Sequence, residues 1–169
     1  MSTQTETAVA TQVYRIYIKA SPQAIWDAIT KPEWTEKYGF KGRVEYDLRP
    51  GGAYRVPATA EMIAIGAPPG PILEGEVLEA DPPRRLVQTW RALWSEDIAA
   101  EQPTRVTFDI EEDDWGMTRL TVTHELEGSP IHASQVGFTD TRLKQGGGGW
   151  PMILSDLKTL LETGSDMKS

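Results

Sequence analysis

Cysteine is absent from this chain, and histidine occurs only twice in its 169 residues. Without thiols the protein forms no disulfides and holds no thiolate metal site, which is compatible with a reducing cytoplasm, where we place it. Two histidines without ligand spacing disfavour a transition-metal centre. We therefore expect no metal and no cofactor.

Long apolar runs and an excess of basic charge are also lacking. No stretch approaches the roughly 20 apolar residues that span a bilayer, so we expect no membrane insertion. The net charge of −8 disfavours a nucleic-acid partner, because phosphate backbones usually require a basic face. The remaining composition, 39% hydrophobic and 25% charged residues, is that of an ordinary globular domain.

One domain accounts for the length, since no break in composition divides the chain. Residues 1–12 are polar and rich in threonine, and we expect a flexible tail there rather than a signal peptide. The domain is expected to cover residues 13–163, and residues 164–169 are expected to form a C-terminal tail.

The clearest pattern lies near the C-terminus, where apolar residues recur at three- and four-residue steps. This spacing predicts one long amphipathic helix with a broad apolar stripe. The stripe consists of Trp150, Ile153, Leu154, Leu157, Leu160 and Leu161. Pro151 fits the first turn of such a helix and Gly164 fits its end. The glycines at residues 146–149 are expected to act as a flexible hinge.

Shorter patterns precede this helix. Alternation at residues 14–18 predicts a first strand. Ser21 with Pro22, and then the capping-box pattern at residues 30–33, predict two short helices. Residues 41–126 have the alternation and turn residues of about six further strands, interrupted at residues 57–71 by a loop with one helical turn. Residues 127–145 are expected to be irregular.

Sequential strands joined by tight turns form antiparallel sheets, and a twisted sheet of this size curls. We therefore predict an α+β fold. Its curved antiparallel sheet of about six to seven strands is wrapped around the long C-terminal helix, with two short helices after the first strand. Such an arrangement leaves a space between the sheet and the helix.

Several ordered segments resemble a known superfamily. They are Ala-Ser-Pro-Gln-Ala-Ile-Trp at residues 20–26, Pro-Glu-Trp at 32–34, Arg-Pro-Gly-Gly at 49–52, Gly-Glu-Val-Leu-Glu-Ala-Asp-Pro-Pro at 75–83, Leu-Thr-Val-Thr-His at 120–124 and Gly-Trp at 149–150 with the leucines of residues 157–161. On these residues the chain resembles, over roughly residues 13–163, the SRPBCC (START-like, helix-grip) superfamily. Within it, the chain looks like the branch of homologues of the activator of the 90-kDa heat-shock protein ATPase.

The resemblance implies the helix-grip fold and a cavity that holds an apolar or aromatic small molecule. Superfamily relatives transfer lipids, cyclise polyketides, or bind plant hormones and flavonoid-like compounds. The eukaryotic chaperone activators resemble this domain in only one of their two parts. A small hydrophobic ligand is therefore the expected partner, and a chaperone is the less favoured one.

His124 shares a predicted strand face with Leu120, Val122 and Leu126. If that face is concave, the imidazole points into the cavity, where it could bind a ligand carbonyl or act as a general base. We favour the alternative, a half-buried histidine that is hydrogen-bonded to a neighbour, because no paired acid or nucleophile lies at a telling spacing. His132, in the irregular segment, is expected to be solvated.

Large aromatic rings, which shape a pocket while their indole and phenol groups supply polarity, are plentiful. Together with part of the helix stripe they form the candidate ligand-binding set. Its members are Trp26, Trp34, Tyr46, Tyr54, Trp90, Phe108, His124, Trp150, Ile153, Leu154 and Leu157. We expect at least Trp90 or Trp150 to touch the cavity.

Binding of a small hydrophobic or aromatic molecule, for sequestration, sensing or transport, is the function we expect first, since no convergent catalytic set is present. A second hypothesis is a cyclase- or hydrolase-type enzyme acting on a polyketide-like substrate. It would use His124 as base, with Tyr46 or Arg91 orienting a carbonyl. A third is a co-chaperone-like interaction domain, which predicts an exposed apolar surface.

Overall fold

The structure, a computed structural model, describes residues 11–137 and 149–168. The strands are β1 (Thr11–Ile18), β2 (Glu45–Tyr46), β3 (Ala53–Pro57), β4 (Pro71–Asp81), β5 (Arg85–Ala92), β6 (Thr104–Glu112) and β7 (Thr118–Glu125). The helices are α1 (Pro22–Thr30), α2 (Pro32–Thr35), α3 (Ala60–Ala64), α4 (Glu96–Ala99), α5 (Pro130–Val136) and α6 (Gly149–Thr163).

All seven strands belong to one curved antiparallel sheet in the order β1-β7-β6-β5-β4-β3-β2. The helix α6 packs against β1, α1 and α5. The predicted α+β helix-grip fold is therefore confirmed, including the two short helices α1 and α2 after the first strand. The helical turn predicted between residues 57 and 71 is present as α3.

The strand register explains why one face of the sheet is apolar. Val122 lies opposite Tyr14 of β1 and Phe108 of β6, and Phe108 lies opposite Leu86 of β5. Residues directly opposite each other on neighbouring strands point to the same face of the sheet, so these four positions form an apolar row across four strands. Leu86 and Val122 are fully buried. This row is the centre of the core.

The C-terminal helix buries the stripe that its spacing predicts. Leu154, Leu157, Leu160 and Trp150 are buried, while the other two stripe residues are partly buried. Its first residue, Gly149, has a φ of +51°, and a Cβ there would lie 2.0 Å from the carbonyl oxygen of Val136. Only glycine allows the start of α6 to approach the end of α5 this closely.

The structure differs from the sequence predictions in several places. The second strand is only Glu45–Tyr46, although the alternation of apolar and polar residues at 43–48 predicts a longer one. The segment expected to be irregular after residue 127 contains α5. Residues 164–168, expected to form a tail, include the buried side chain of Asp166. The hinge glycines at residues 146–148 and the first ten residues of the predicted N-terminal tail lie outside the described residues.

Within the described residues, no helix has the length and apolar character needed to cross a membrane.

Candidate functional site

A cavity of about 1240 Å³ lies between the concave face of the sheet and α6. The sheet contributes Phe108 and Leu120 from its central strands, and the helix contributes Leu154 and Leu157. Small-molecule pockets typically have volumes of roughly 300–1,000 Å³, so this space is large enough for a multi-ring ligand.

Two loops form the rim of the cavity. Phe40, in the loop after α2, and Ile65, after α3, line the cavity and are also solvent-exposed, at 47% and 88% of their surface. Exposed large apolar side chains at the edge of an apolar space extend that space toward the solvent. The cavity therefore has an apolar entrance as well as an apolar interior.

Aromatic rings in mutual edge-to-face contact form part of the wall. Phe108 and Trp150 have ring centroids 5.9 Å apart at 76°, and Trp90 and Trp94 have centroids 6.3 Å apart at 77°. Such pairs stabilise one another beyond their buried area. These four rings, all of which line the cavity, therefore form a preorganised surface suited to a flat apolar ligand.

A polar group of side chains lies on the sheet strands at the β2–β5 side of the cavity. Tyr46 and Tyr54 lie opposite each other in register, with ring centroids 4.8 Å apart. The hydroxyl of Tyr46 donates to the side-chain oxygen of Gln88, which is buried. Burial raises the pKa of both phenols well above its ordinary value. Both hydroxyls are therefore neutral hydrogen-bonding groups at physiological pH.

His124 shares the concave face with Leu120 and Val122, but it is fully buried rather than half-buried and does not line the cavity. Its Nδ1 accepts from the indole N–H of Trp150 at 3.0 Å, so its Nε2–H donates to the hydroxyl of Thr104 at 2.7 Å. That hydroxyl in turn donates to the carbonyl oxygen of Trp90. Burial, and then the nearby His132, lower the pKa of His124 to about 3.

Because both ring nitrogens of His124 are occupied and the ring is covered, His124 cannot reach a ligand in this geometry. A general base needs a free lone pair within hydrogen-bonding distance of its substrate. The structure therefore does not support the enzyme hypothesis with His124 as base. Of the two residues expected to orient a carbonyl, Tyr46 lines the cavity. Arg91 follows Trp90 and points to the opposite face of the sheet, where it pairs with Glu74 at 2.7 Å.

The expectation that His132 is solvated is wrong. Its side chain is fully buried, its Nε2 accepts from the backbone N–H of Ala92 at 3.0 Å, and its Nδ1–H donates to Glu101 at 2.7 Å. Burial alone would raise the pKa of Glu101. The backbone N–H groups of Ile131 and His132, together with the His132 ring, instead hold it below its ordinary value.

The Glu101–His132 pair resembles a catalytic dyad but is structural. The ring nitrogen that would act as base is occupied by a main-chain N–H, and the ring is shielded from solvent. The pair connects α5 to β5 and to the segment that follows α4. The burial of His132 could have been predicted only if residues 130–136 had been recognised as a helix.

Asp156, on α6, fixes the rim loop of residues 38–42. Its carboxylate is fully buried and accepts from the backbone N–H of Gly39 at 2.8 Å and of Met167 at 2.7 Å. The C-terminal residues add an ion pair between Lys41 and Asp166. Lys41 has a φ of +66°, which is unfavourable for a residue with a side chain, so these contacts hold the loop in a strained conformation.

We expect Asp156→Ala to lower the free energy of unfolding by about 1–3 kcal/mol, because two main-chain N–H groups lose their acceptor. The amide of Gly39 should also exchange its hydrogen faster, which hydrogen–deuterium exchange would detect. Ser155→Ala, at the neighbouring exposed position, is the control and should change neither quantity. Unchanged exchange at Gly39 would contradict the role of Asp156 in the rim loop.

Most of the predicted ligand-binding residues are brought together at the cavity. Those that line it are Tyr46, Tyr54, Trp90, Phe108, Trp150, Ile153, Leu154 and Leu157. Trp26, Trp34 and His124 do not line it. Trp26 is buried in the core on α1, and Trp34 on α2 carries Lys37 over its ring at 4.6 Å from the centroid. His124 lies behind the edges of Trp90 and Trp150.

Other residues that line the cavity were not predicted from the sequence. Val56 and Ile72 occupy inward positions of β3 and β4, and strand alternation could have identified them. Tyr38, Phe40 and Met62 come from loops and short helices, where no periodic pattern indicates direction.

Within the described parts of the chain, no group of three or more histidine, aspartate or glutamate side chains could hold a metal ion. Lys41 is the one charged side chain among the described residues that line the cavity, and it is paired with Asp166. The site is therefore built for apolar contacts and a few neutral hydrogen bonds.

The model of the family described as "Activator of Hsp90 ATPase homolog 1-like protein" matches residues 19–162. No curated protein sequence matches the chain. Similar solved structures include a protein of Mesorhizobium loti, with TM-score 0.64 and 22% identity over 90% of this chain and 96% of that one. An HSP90 activator from Plasmodium falciparum has TM-score 0.61 and 17% identity, covering 90% and 96%.

A third similar structure is DynU16, a protein from the dynemicin biosynthetic locus, with TM-score 0.65 and 19% identity. The match covers 93% of this chain but 49% of DynU16, so this chain spans about half of that protein. At these identities the three structures establish the shared fold.

Proposed function

Because this chain belongs to the family of Activator of Hsp90 ATPase homolog 1-like proteins, we propose that it uses the cavity of that fold to bind a small hydrophobic or aromatic molecule, for sequestration, sensing or transport. The observation that carries the proposal is the cavity of about 1240 Å³ between the sheet and α6. Its lining is mostly apolar and aromatic with a few polar groups, which is the usual composition of a small-molecule site.

The proposal is tested by tryptophan fluorescence and thermal unfolding with a library of polyketides, flavonoids and fatty acids. We expect saturable quenching by at least one compound, since Trp90 and Trp150 line the cavity. The same compound should raise Tm, because a ligand at 100 times its Kd stabilises the folded state by about 2.7 kcal/mol.

Two variants locate the binding. Trp90→Phe should remove part of the saturable quenching, whereas Trp115→Phe should leave it unchanged, because Trp115 is 86% exposed in the β6–β7 turn. Quenching that depends on Trp115 but not on Trp90 would place binding outside the cavity. Silence across the whole library would contradict the proposal and favour a protein partner.

A chaperone-type partner is the alternative, named by the family description and by the Plasmodium neighbour. The two most exposed large apolar side chains among the described residues are Ile65 and Trp115. Ile65 lies between β3 and β4 and Trp115 between β6 and β7, and β5 separates these two strand pairs in the sheet. They do not form one docking patch, and this favours the cavity.

A further inference from the structure

The hydroxyl groups that line the cavity differ in whether they already donate a hydrogen bond to another group of the protein. Three of them donate to main-chain carbonyl oxygens of the helices that surround the cavity. These bonds run from Thr35 to Pro32 at 3.5 Å, from Tyr38 to Ala28 at 2.9 Å and from Ser134 to Ile131 at 2.9 Å. A fourth, Tyr46, donates to Gln88. These four hydroxyls have no proton left for a ligand.

Tyr54 is different. It lines the cavity, with its ring centroid 4.8 Å from that of Tyr46. Within residues 11–137 and 149–168, no acceptor lies within hydrogen-bonding distance of its hydroxyl, in contrast to those of Tyr38 and Tyr46. Because Tyr54 lines the cavity, a ligand that accepts this hydrogen bond is favoured over one that leaves the donor unpaired when it displaces water.

The surroundings of Tyr54 define what accepts that bond. The ammonium of Lys41, the only cation among the described lining residues, is paired with Asp166, so an anionic ligand would enter without a countercharge. Burial of an unpaired charge in an apolar site is strongly unfavourable. A neutral oxygen acceptor carries no such penalty.

We propose that Tyr54 donates a hydrogen bond to the carbonyl oxygen of a neutral, planar aromatic ligand, an inference that rests on the binding function proposed above. The ring of Tyr46, tilted by 34° against that of Tyr54, restricts the direction of the phenol, and Tyr46 is itself held by its hydrogen bond to Gln88. The rings of Trp90, Phe108 and Trp150 supply flat apolar surfaces for the remainder of the ligand.

A matched pair of probes tests this inference. Fluorene and 9-fluorenone share one planar tricyclic skeleton and differ in whether the central carbon is a methylene or a carbonyl. We expect Tyr54→Phe to lower the preference for fluorenone, measured as the ratio of the two Kd values, by about 3- to 10-fold. Fluorene itself should bind the variant about as well as it binds the wild-type protein.

Tyr17→Phe is the control, because Tyr17 lies on β1, is exposed and does not line the cavity. It should leave the ratio unchanged. If both probes bind the wild-type protein and Tyr54→Phe does not change the ratio, the inference is overturned while the proposed function stands. If neither probe binds the wild-type protein saturably, the inference is overturned for this ligand class, whereas the proposed function is contradicted only by silence across the whole library.

A measurement on the wild-type protein alone guards against a variant that does not fold. The C=O stretching band of fluorenone should lie at a lower wavenumber in the complex than in an apolar solvent, because a hydrogen bond weakens the carbonyl. A band at the apolar-solvent position would overturn the inference without reference to any variant.

Discussion

Leu157→Ala is expected to lower the free energy of unfolding by about 2–5 kcal/mol. Leu157 is 1% exposed and lies on the face of α6 that closes the cavity, so its truncation removes apolar contacts that nothing else replaces. Chemical unfolding with urea would measure the change. For a domain of this size, Tm should fall by roughly 2–4 °C for each kcal/mol lost.

Leu161→Ala is the matched control, because it removes the same atoms one turn later on the same helix, where the side chain is only partly buried. Its effect should be clearly smaller than that of Leu157→Ala. Equal effects, or an unchanged unfolding curve for Leu157→Ala, would contradict the central position of α6 in the core.

The packing of α6 was predictable because a helix of this length contains several periods of its apolar pattern. The sheet was predictable for the same reason, since alternation along β6 and β7 already places Phe108 and Val122 on one face. The same alternation also identified the aromatic residues of the cavity that lie on strands. Local spacing therefore predicts which face of an element is apolar.

Spacing does not predict which groups meet across elements. Asp156 lies beside the apolar stripe of α6, and its burial is explained by the N–H groups of Gly39, which is 117 residues away, and of Met167, which lies beyond the end of the helix. Likewise, the burial of His124 depends on Trp150, which approaches it from another element. Only the three-dimensional arrangement could identify these contacts.

The error at His132 has a local cause. Ser129 with Pro130 repeats the pattern of Ser21 with Pro22, which correctly predicted α1. Ser129 with Pro130 was not recognised as the start of a helix because the residues around this pair show no periodic apolar stripe. The serines also differ: Ser21 accepts from the helix N–H of Ala24, whereas Ser129 donates to the carbonyl oxygen of Gln102. The same dipeptide thus begins two helices through different contacts.

The buried His124 should make the stability of the protein depend on pH. Its pKa in the folded protein is about 3, lowered first by burial and then by His132, whereas an unfolded histidine titrates near 6.5. Between these values the unfolded chain binds a proton that the folded protein does not bind. The stability due to neutral His124 is therefore complete above pH 6.5 and is lost as the pH falls toward 3, by up to about 1.4 kcal/mol per pH unit.

Glu101 titrates in a lower window, which allows the two contributions to be separated. Its pKa is lowered in the folded protein, so its contribution is present above the ordinary value of 4.5 and is lost only below it. The free energy of unfolding measured between pH 6.5 and 5 should therefore report mainly on His124. A His124→Asn variant, which cannot titrate but can still accept from Trp150, should show a shallower slope in this window.

Proton NMR of the wild-type protein provides an independent measurement, because two histidines give only two pairs of ring signals. The ring signals of His124 should remain at the neutral position down to about pH 4, since its pKa is about 3. Titration near pH 6.5 would show that the ring is solvated. It would also contradict the bonds to Thr104 and Trp150, because a protonated Nδ1 cannot accept from the indole. The inner wall of the cavity would then need a different arrangement, since Trp150 is held there by that same hydrogen bond.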